Sequence, residues 1–210
     1  MKITHLLCIG ALAGLGLVSC AKNPADEVAK AQEVSGEVKA KEGQGTRYRF
    51  TPDSKIGFIG SKITGSHEGG FKVFSGEFET DGKDLLGTAN RIEIDMASTF
   101  SDDEKLTGHL KSPDFFDVAQ FPKSTFELIQ VTKADGPDMW TLVGKFTLHG
   151  VTKQISFPAR VYKGENGGPA LDAQFAINRK DYNIVYPGMP DDLIRDEVVI
   201  KLAMRAEPAA

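Results

Sequence analysis

The sequence predicts an all-β domain of eight antiparallel strands, and three observations predict it. Apolar and polar residues alternate with period two from Tyr48 almost to the C-terminus. The alternating runs are joined by short Gly-, Asn- and Pro-containing connections, which imply antiparallel neighbours. One helix-and-turn episode, Ser101–Pro122, interrupts the pattern, with three strand-like runs before it and five after. One apolar face per strand and sequential hairpins fit an up-and-down barrel or a two-sheet sandwich, and periodicity alone does not separate them.

In chain order, less regular strands are expected at 54–64 and 71–80, joined through Ser66-His67-Glu68-Gly69-Gly70 read as a turn. The third strand carries Ile92, Ile94 and Met96 on one face, with Arg91, Glu93 and Asp95 on the other. A fourth covers 124–133. The fifth is the cleanest, Trp140-x-Leu142-x-Gly144-x-Phe146-x-Leu148. The last three carry Ile155-Phe157-Ala159-Val161, Leu171-Ala173-Phe175-Ile177 and Val198-Ile200-Leu202-Met204. Asp135–Asp138 and Glu165–Pro169 read as turns, and His149-Gly150 as the centre of a tight hairpin.

With 210 residues, 40% hydrophobic and 26% charged, the chain has the size and composition of one globular domain plus attachments. Its net charge of −4, with no basic cluster in the folded part, argues against nucleic acid as a partner. Residues 1–19 read as an export leader with Lys2 before an apolar run shorter and more Gly-rich than a membrane span. The run ends in Leu17-Val18-Ser19-Cys20, which resembles the bacterial lipoprotein lipobox. That resemblance implies lipid attachment at Cys20, cleavage before it, and a periplasmic or cell-surface protein held to a bacterial membrane. Cys8 leaves with the leader, so no internal disulfide is expected. Residues 20–46 hold three valines and no aromatic residue, and read as a flexible tether of about 25–30 Å. The folded domain is expected over 47–206, with a tail at 207–210.

Ser101-Asp102-Asp103-Glu104 has the spacing of a capping box, with Ser101 at the N-cap. Leu106 and Leu110 form an apolar stripe, and Ser112-Pro113 starts a second turn holding Phe115 and Phe116 between Asp114 and Asp117. This segment is expected to lie over one mouth of the sheet as a partial lid.

Gly108-His109-Leu110-Lys111-Ser112-Pro113-Asp114-Phe115-Phe116-Asp117-Val118, with Phe121-Pro122 and Thr125-Phe126, resembles the central signature of the YceI-like family. The resemblance extends to Phe74–Phe78, Gly144–Lys153 and Asn178–Ile184, and so spans the folded part. Residues 63–70 depart from it in being longer and more Gly-rich. It implies an eight-stranded antiparallel lipocalin-like barrel whose apolar pore binds a polyisoprenoid or an isoprenoid-quinone-like lipid. It carries no catalytic residues.

The inward positions that would meet such a lipid are Phe58, Phe74, Phe78, Ile92, Ile94, Met96, Trp140, Leu142, Phe146, Phe157, Phe175 and Ile177, with Phe115 and Phe116 in the lid. Gly57, Gly60, Gly76 and Gly144 are expected to leave room among them. His109 is a candidate head-group contact, with a surface or capping role as the alternative, and Asn178, Arg179 and Asp181 read either as a polar rim meeting the head group or as a structural ion pair. No histidine pair has metal-ligand spacing, and neither a nucleophile elbow nor a phosphate loop is present, so no enzyme, metal or cofactor is expected. The alternative is a structural or interaction lipoprotein with a filled barrel. Homodimerisation is left open.

Overall fold

The computed structural model describes residues 21–82, 86 and 90–209; the leader and Cys20 lie outside them. Eight strands form a closed antiparallel barrel in which each pairs with its sequence neighbours and the last returns to the first. The first three are long and broken: β1 is Thr46–Phe50 and Lys55–Ser61, β2 is Ser66–Phe71 and Phe74–Thr80, and β3 is Arg91–Asp95 and Thr99–Ser101. After helix α1, Glu104–Lys111, come β4 (Lys123–Lys133), β5 (Met139–Leu148), β6 (Val151–Lys163), β7 (Pro169–Asn178) and β8 (Glu197–Pro208). Closure is made by β8, which pairs with β7 from Asn178↔Glu197 to Ala170↔Arg205 and with both halves of β1. Of the two architectures compatible with the alternation, the barrel is therefore the one formed. The strand β8 runs through Pro208, two residues into the expected tail, because Pro208 still faces Tyr48 across the ladder.

The breaks have local causes. In β1, Pro52 cannot donate to a ladder, and the Ser54 hydroxyl takes over, donating to the Arg205 carbonyl and accepting from its amide, each at 2.9 Å. Ser66–Gly70, expected as a turn, is instead the first half of β2. Its backbone is paired on both sides, with β1 from Ser61↔Ser66 to Ile56↔Phe71 and with β3 at Gly69↔Ser101. Glycine suits this strand because a Cβ on Gly69 would collide with the Phe58 ring and the Phe100 carbonyl. The hairpin between β5 and β6 is as expected, with His149 and Gly150 both at positive φ, 49° and 75°.

The segment expected as a free tether packs on the barrel. Strands β6 and β7 pair only from Arg160↔Asp172 to Lys163↔Pro169 and then diverge. Residues 29–33 fill the gap, Ala29 and Lys30 running parallel to Phe175 and Ala176 and Gln32 and Glu33 opposite Ser156 and Ile155. Upstream, Asn23 caps a 3-10 turn, Pro24–Glu27, that buries Ala25 against the outward-facing Ala176 and Val199. Too few apolar residues for a core of its own are still enough to cover a seam whose open edges supply the hydrogen bonds.

The N-cap of helix α1 is Asp103, two residues later than the Ser101 that the sequence suggests. Ser101 stays in β3, and the Asp103 carboxylate accepts from the Leu106 amide at 2.8 Å. Asp102 points back to β2, accepting from the Glu68 amide at 3.1 Å and lying 2.9 Å from His67 Nδ1. That backbone hydrogen bond, with His67 beside it, holds the Asp102 carboxyl below the usual range.

Candidate functional site

The inward faces of the strands enclose an apolar channel divided into two chambers. The chamber under α1 has a volume of about 150 Å³ and the one at the opposite end about 230 Å³. Ile92, Phe126, Phe157 and Leu202 line both and so form the waist between them. At the waist the rings of Phe126 and Phe157 are 5.5 Å apart, and Phe157 stacks on Phe175 at 3.9 Å. That stack bridges β6 and β7 from inside at the level where residues 29–33 bridge them from outside.

Alternation places nearly all the expected lining residues. Phe58, Ile94, Phe146, Phe175 and Ile177 line the chamber under α1, with Phe115 and Phe116 entering from the turn after the helix. Phe78, Trp140 and Leu142 line the other, and Ile92 and Phe157 line both. Two residues fall elsewhere. Met96 leaves the strand in the 3-10 turn Met96–Ser98 and is buried solidly in the core. Phe74, at the break in β2, borders a wide open groove of about 1220 Å³ on the barrel flank. The glycines also divide: Gly57 and Gly60 line the helical chamber, whereas the Phe126 ring lies against Gly144 and takes the space a side chain would need.

The helical end is plugged. Phe115 is buried and Phe116 packs against Phe58 and Phe71 at 6.3 and 6.1 Å. Below them Arg179, 4% exposed, is the one ionisable residue among the described residues that lines this chamber. Its guanidinium is already committed, donating to the carbonyls of Arg195 (3.1 Å), Ile184 (2.7 Å) and Ile194 (3.4 Å) and to Asp196 Oδ1 (3.4 Å). Burial lowers its pKa, against the opposing charge of Asp196. Arg179 therefore latches the 184–196 loop across the barrel end. Tyr182 completes the plug, its ring 5.2 Å from Phe146 and its carbonyl accepting from His149 Nδ1 at 3.1 Å. Burial pushes its phenol well above the ordinary value.

The other three residues assigned to a head group lie outside the chambers. His109 is on the outer side of α1, 2.9 Å from Asp114 Oδ2 and edge-on to Phe115 and Tyr186. Asn178 caps the short turn Arg179–Tyr182 through the Lys180 amide, and Asp181 is exposed. The polar rim that sequence reasoning missed is at the opposite mouth, where Glu77, Thr80 and Arg91 border the chamber containing Trp140. Its signal was the register itself: Glu77 faces Arg91 across β2 and β3, at the strand ends remote from α1. Among the described residues, no group of three or more His, Cys, Asp or Glu could hold a metal ion.

Residues 48–206 match the YceI-like domain. The chain belongs to the YceI-like family. A UPF0312 protein of Pseudomonas putida strain W619 is 29% identical over 161 residues, covering 71% of this YceI-like chain and 82% of that protein. A UPF0312 protein of Pseudomonas savastanoi pv. phaseolicola is 32% identical over 154 residues, 70% and 76% of the two chains. Among solved structures, Burkholderia cenocepacia BcnA superposes with a TM-score of 0.61 at 24% identity, over 72% of this chain and 94% of that one. A polyisoprenoid binding domain from Saccharophagus degradans, implicated in plant cell wall breakdown, gives 0.63 at 17% identity, over 77% and 98%. Both likenesses are likenesses of fold, and the eight-stranded YceI-like barrel is what they share.

Proposed function

We propose that this YceI-like protein is an exported lipoprotein, acylated at Cys20, that carries or sequesters a polyisoprenoid or isoprenoid quinone in its barrel. The observation that carries this proposal is a pair of apolar chambers sharing a waist, closed at the helical end and bordered by polar residues at the other. An amphiphile with a long branched tail has that same distribution. The tail would lie past the waist toward Phe115 and Phe116, and the head group would rest at the rim of Glu77, Thr80 and Arg91. Each five-carbon unit buried would contribute about 3–4 kcal/mol before ordering costs. Family membership and the named ligand class of the Saccharophagus domain support the same reading. A filled barrel without ligand calls for no internal space, and the two chambers weigh against it. The role is binding, without a catalytic step.

The test is extraction of lipid from protein purified from its native membrane, followed by mass spectrometry. A prenyl-chain lipid near one per barrel is expected. Protein that is consistently empty and takes up no added isoprenoid quinone would contradict the proposal. The intact mass of the same sample reports whether Cys20 carries acyl chains.

A further inference from the structure

The first described residue is already held by the barrel. Arg195 Nη2 donates to the Ala21 carbonyl at 3.0 Å, and two residues on Asn23 begins the turn that buries Ala25. Cys20 immediately precedes Ala21 in the sequence. An acyl group on Cys20 would therefore be one residue from backbone that the barrel holds at its helical end, and not at the far end of a 26-residue tether.

Exposed apolar side chains collect at the same end. Among the described residues six large apolar side chains are exposed, and four of them are Ile63 (41%), Val185 (62%), Met189 (62%) and Leu193 (45%). The Ile63 amide donates to the Leu193 carbonyl at 3.2 Å. Met189 and Leu193 belong to one small hairpin, Gly188–Met189 with Asp192–Leu193. Val185 lies four residues before Met189 in the same loop, and Arg195, which holds Ala21, lies two residues after Leu193.

We infer that the loops carrying Ile63, Val185, Met189 and Leu193 form a docking face for the bilayer that holds the acyl anchor. This rests on the acylation of Cys20 proposed above. The bilayer is the occupant because an anchor at this edge keeps lipid at high effective concentration against these side chains. Acyl chains and apolar loops together supply the paired signals that stable membrane attachment needs. The barrel then stands on its helical end. Its Trp140 mouth is about 25 Å away along β5 and opens away from the membrane.

The full chain, processed in cells and reconstituted into phosphatidylethanolamine–phosphatidylglycerol vesicles, tests this directly. Met189→Cys supplies a free thiol for an environment-sensitive fluorophore, and Glu165→Cys does the same in the turn at the opposite end. On vesicles, iodide should quench the probe at residue 189 about threefold less than the probe at 165, since side chains docked at the interface sit 5–10 Å deep. Without vesicles the two should be quenched alike. Equal quenching on vesicles, with acylated Cys20 in the intact mass, would overturn the docking face and leave the anchor standing. Unacylated Cys20 and protein that does not float with the vesicles would overturn both.

Discussion

The two ends of the barrel are built by different means. At the helical end a buried arginine, two phenylalanines, a buried tyrosine and a capped helix are tied to one another, so the channel stops there. At the other end Glu77, Thr80 and Arg91 border an apolar chamber holding the chain's single tryptophan. A closed end made of committed hydrogen bonds gives stability and sets the depth of the channel. The other end, a polar border around a half-buried aromatic wall, is where the ligand proposed above would enter.

Truncation should expose that difference. The largest effect is expected for Phe115→Ala, which empties a buried site and should lower stability by about 3–5 kcal/mol in urea unfolding. Adding Phe116→Ala should weaken lipid retention more than Asp102→Ala with Asp103→Ala, which removes a cap and a β2 contact but no channel wall. Arg179→Ala should cost about 3 kcal/mol, because three carbonyls and Asp196 lose their donor together. Trp140→Ala, at the half-buried mouth, should change stability by about 1 kcal/mol and lipid affinity about tenfold. Equal stability losses at Phe115 and Trp140 would erase the distinction between the ends.

The smallest effect concerns the N-terminal strap. Lys30 pairs with Glu197 at 2.9 Å, and that hydrogen bond holds the Glu197 carboxyl below its usual range. A lowered folded-state pKa means the contribution is present above the unfolded glutamate value of about 4.3 and is lost as pH falls through the folded value. The protection factors of the Ala31 and Val34 amides, which donate to Ala176 and Gln154, should therefore fall in acid before those of the barrel core. Lys30→Ala should remove that pH dependence.

Much of this was legible in the sequence because alternation is a strong signal wherever one face is buried. The strand count, the helix between the third and fourth strands, and the His149-Gly150 hairpin all follow from it. So do the lining positions from Phe58 to Ile177, apart from Phe74 and Met96, which sit where β2 and β3 break. What was not legible depended on partners distant in the chain. Ser66–Gly70 has turn composition and becomes strand because ladders on both sides claim its backbone. Residues 21–36 are too polar to fold alone, yet they dock on a seam that only the divergence of β6 and β7 creates. One trace was available: Ile59, Ala176 and Val199 are apolar on outward faces, as befits a wall covered on both sides. Arg179 read as a polar rim because its partners, the carbonyls of 184, 194 and 195, carry no side-chain signature.

The central claim is that an isoprenoid tail fills the channel with its head group at the Trp140 mouth. Titrating delipidated protein with an isoprenoid quinone while following the fluorescence of Trp140 tests it most directly. The account predicts saturable quenching that ends near one quinone per barrel. No quenching, or a linear collisional response without saturation, would contradict it.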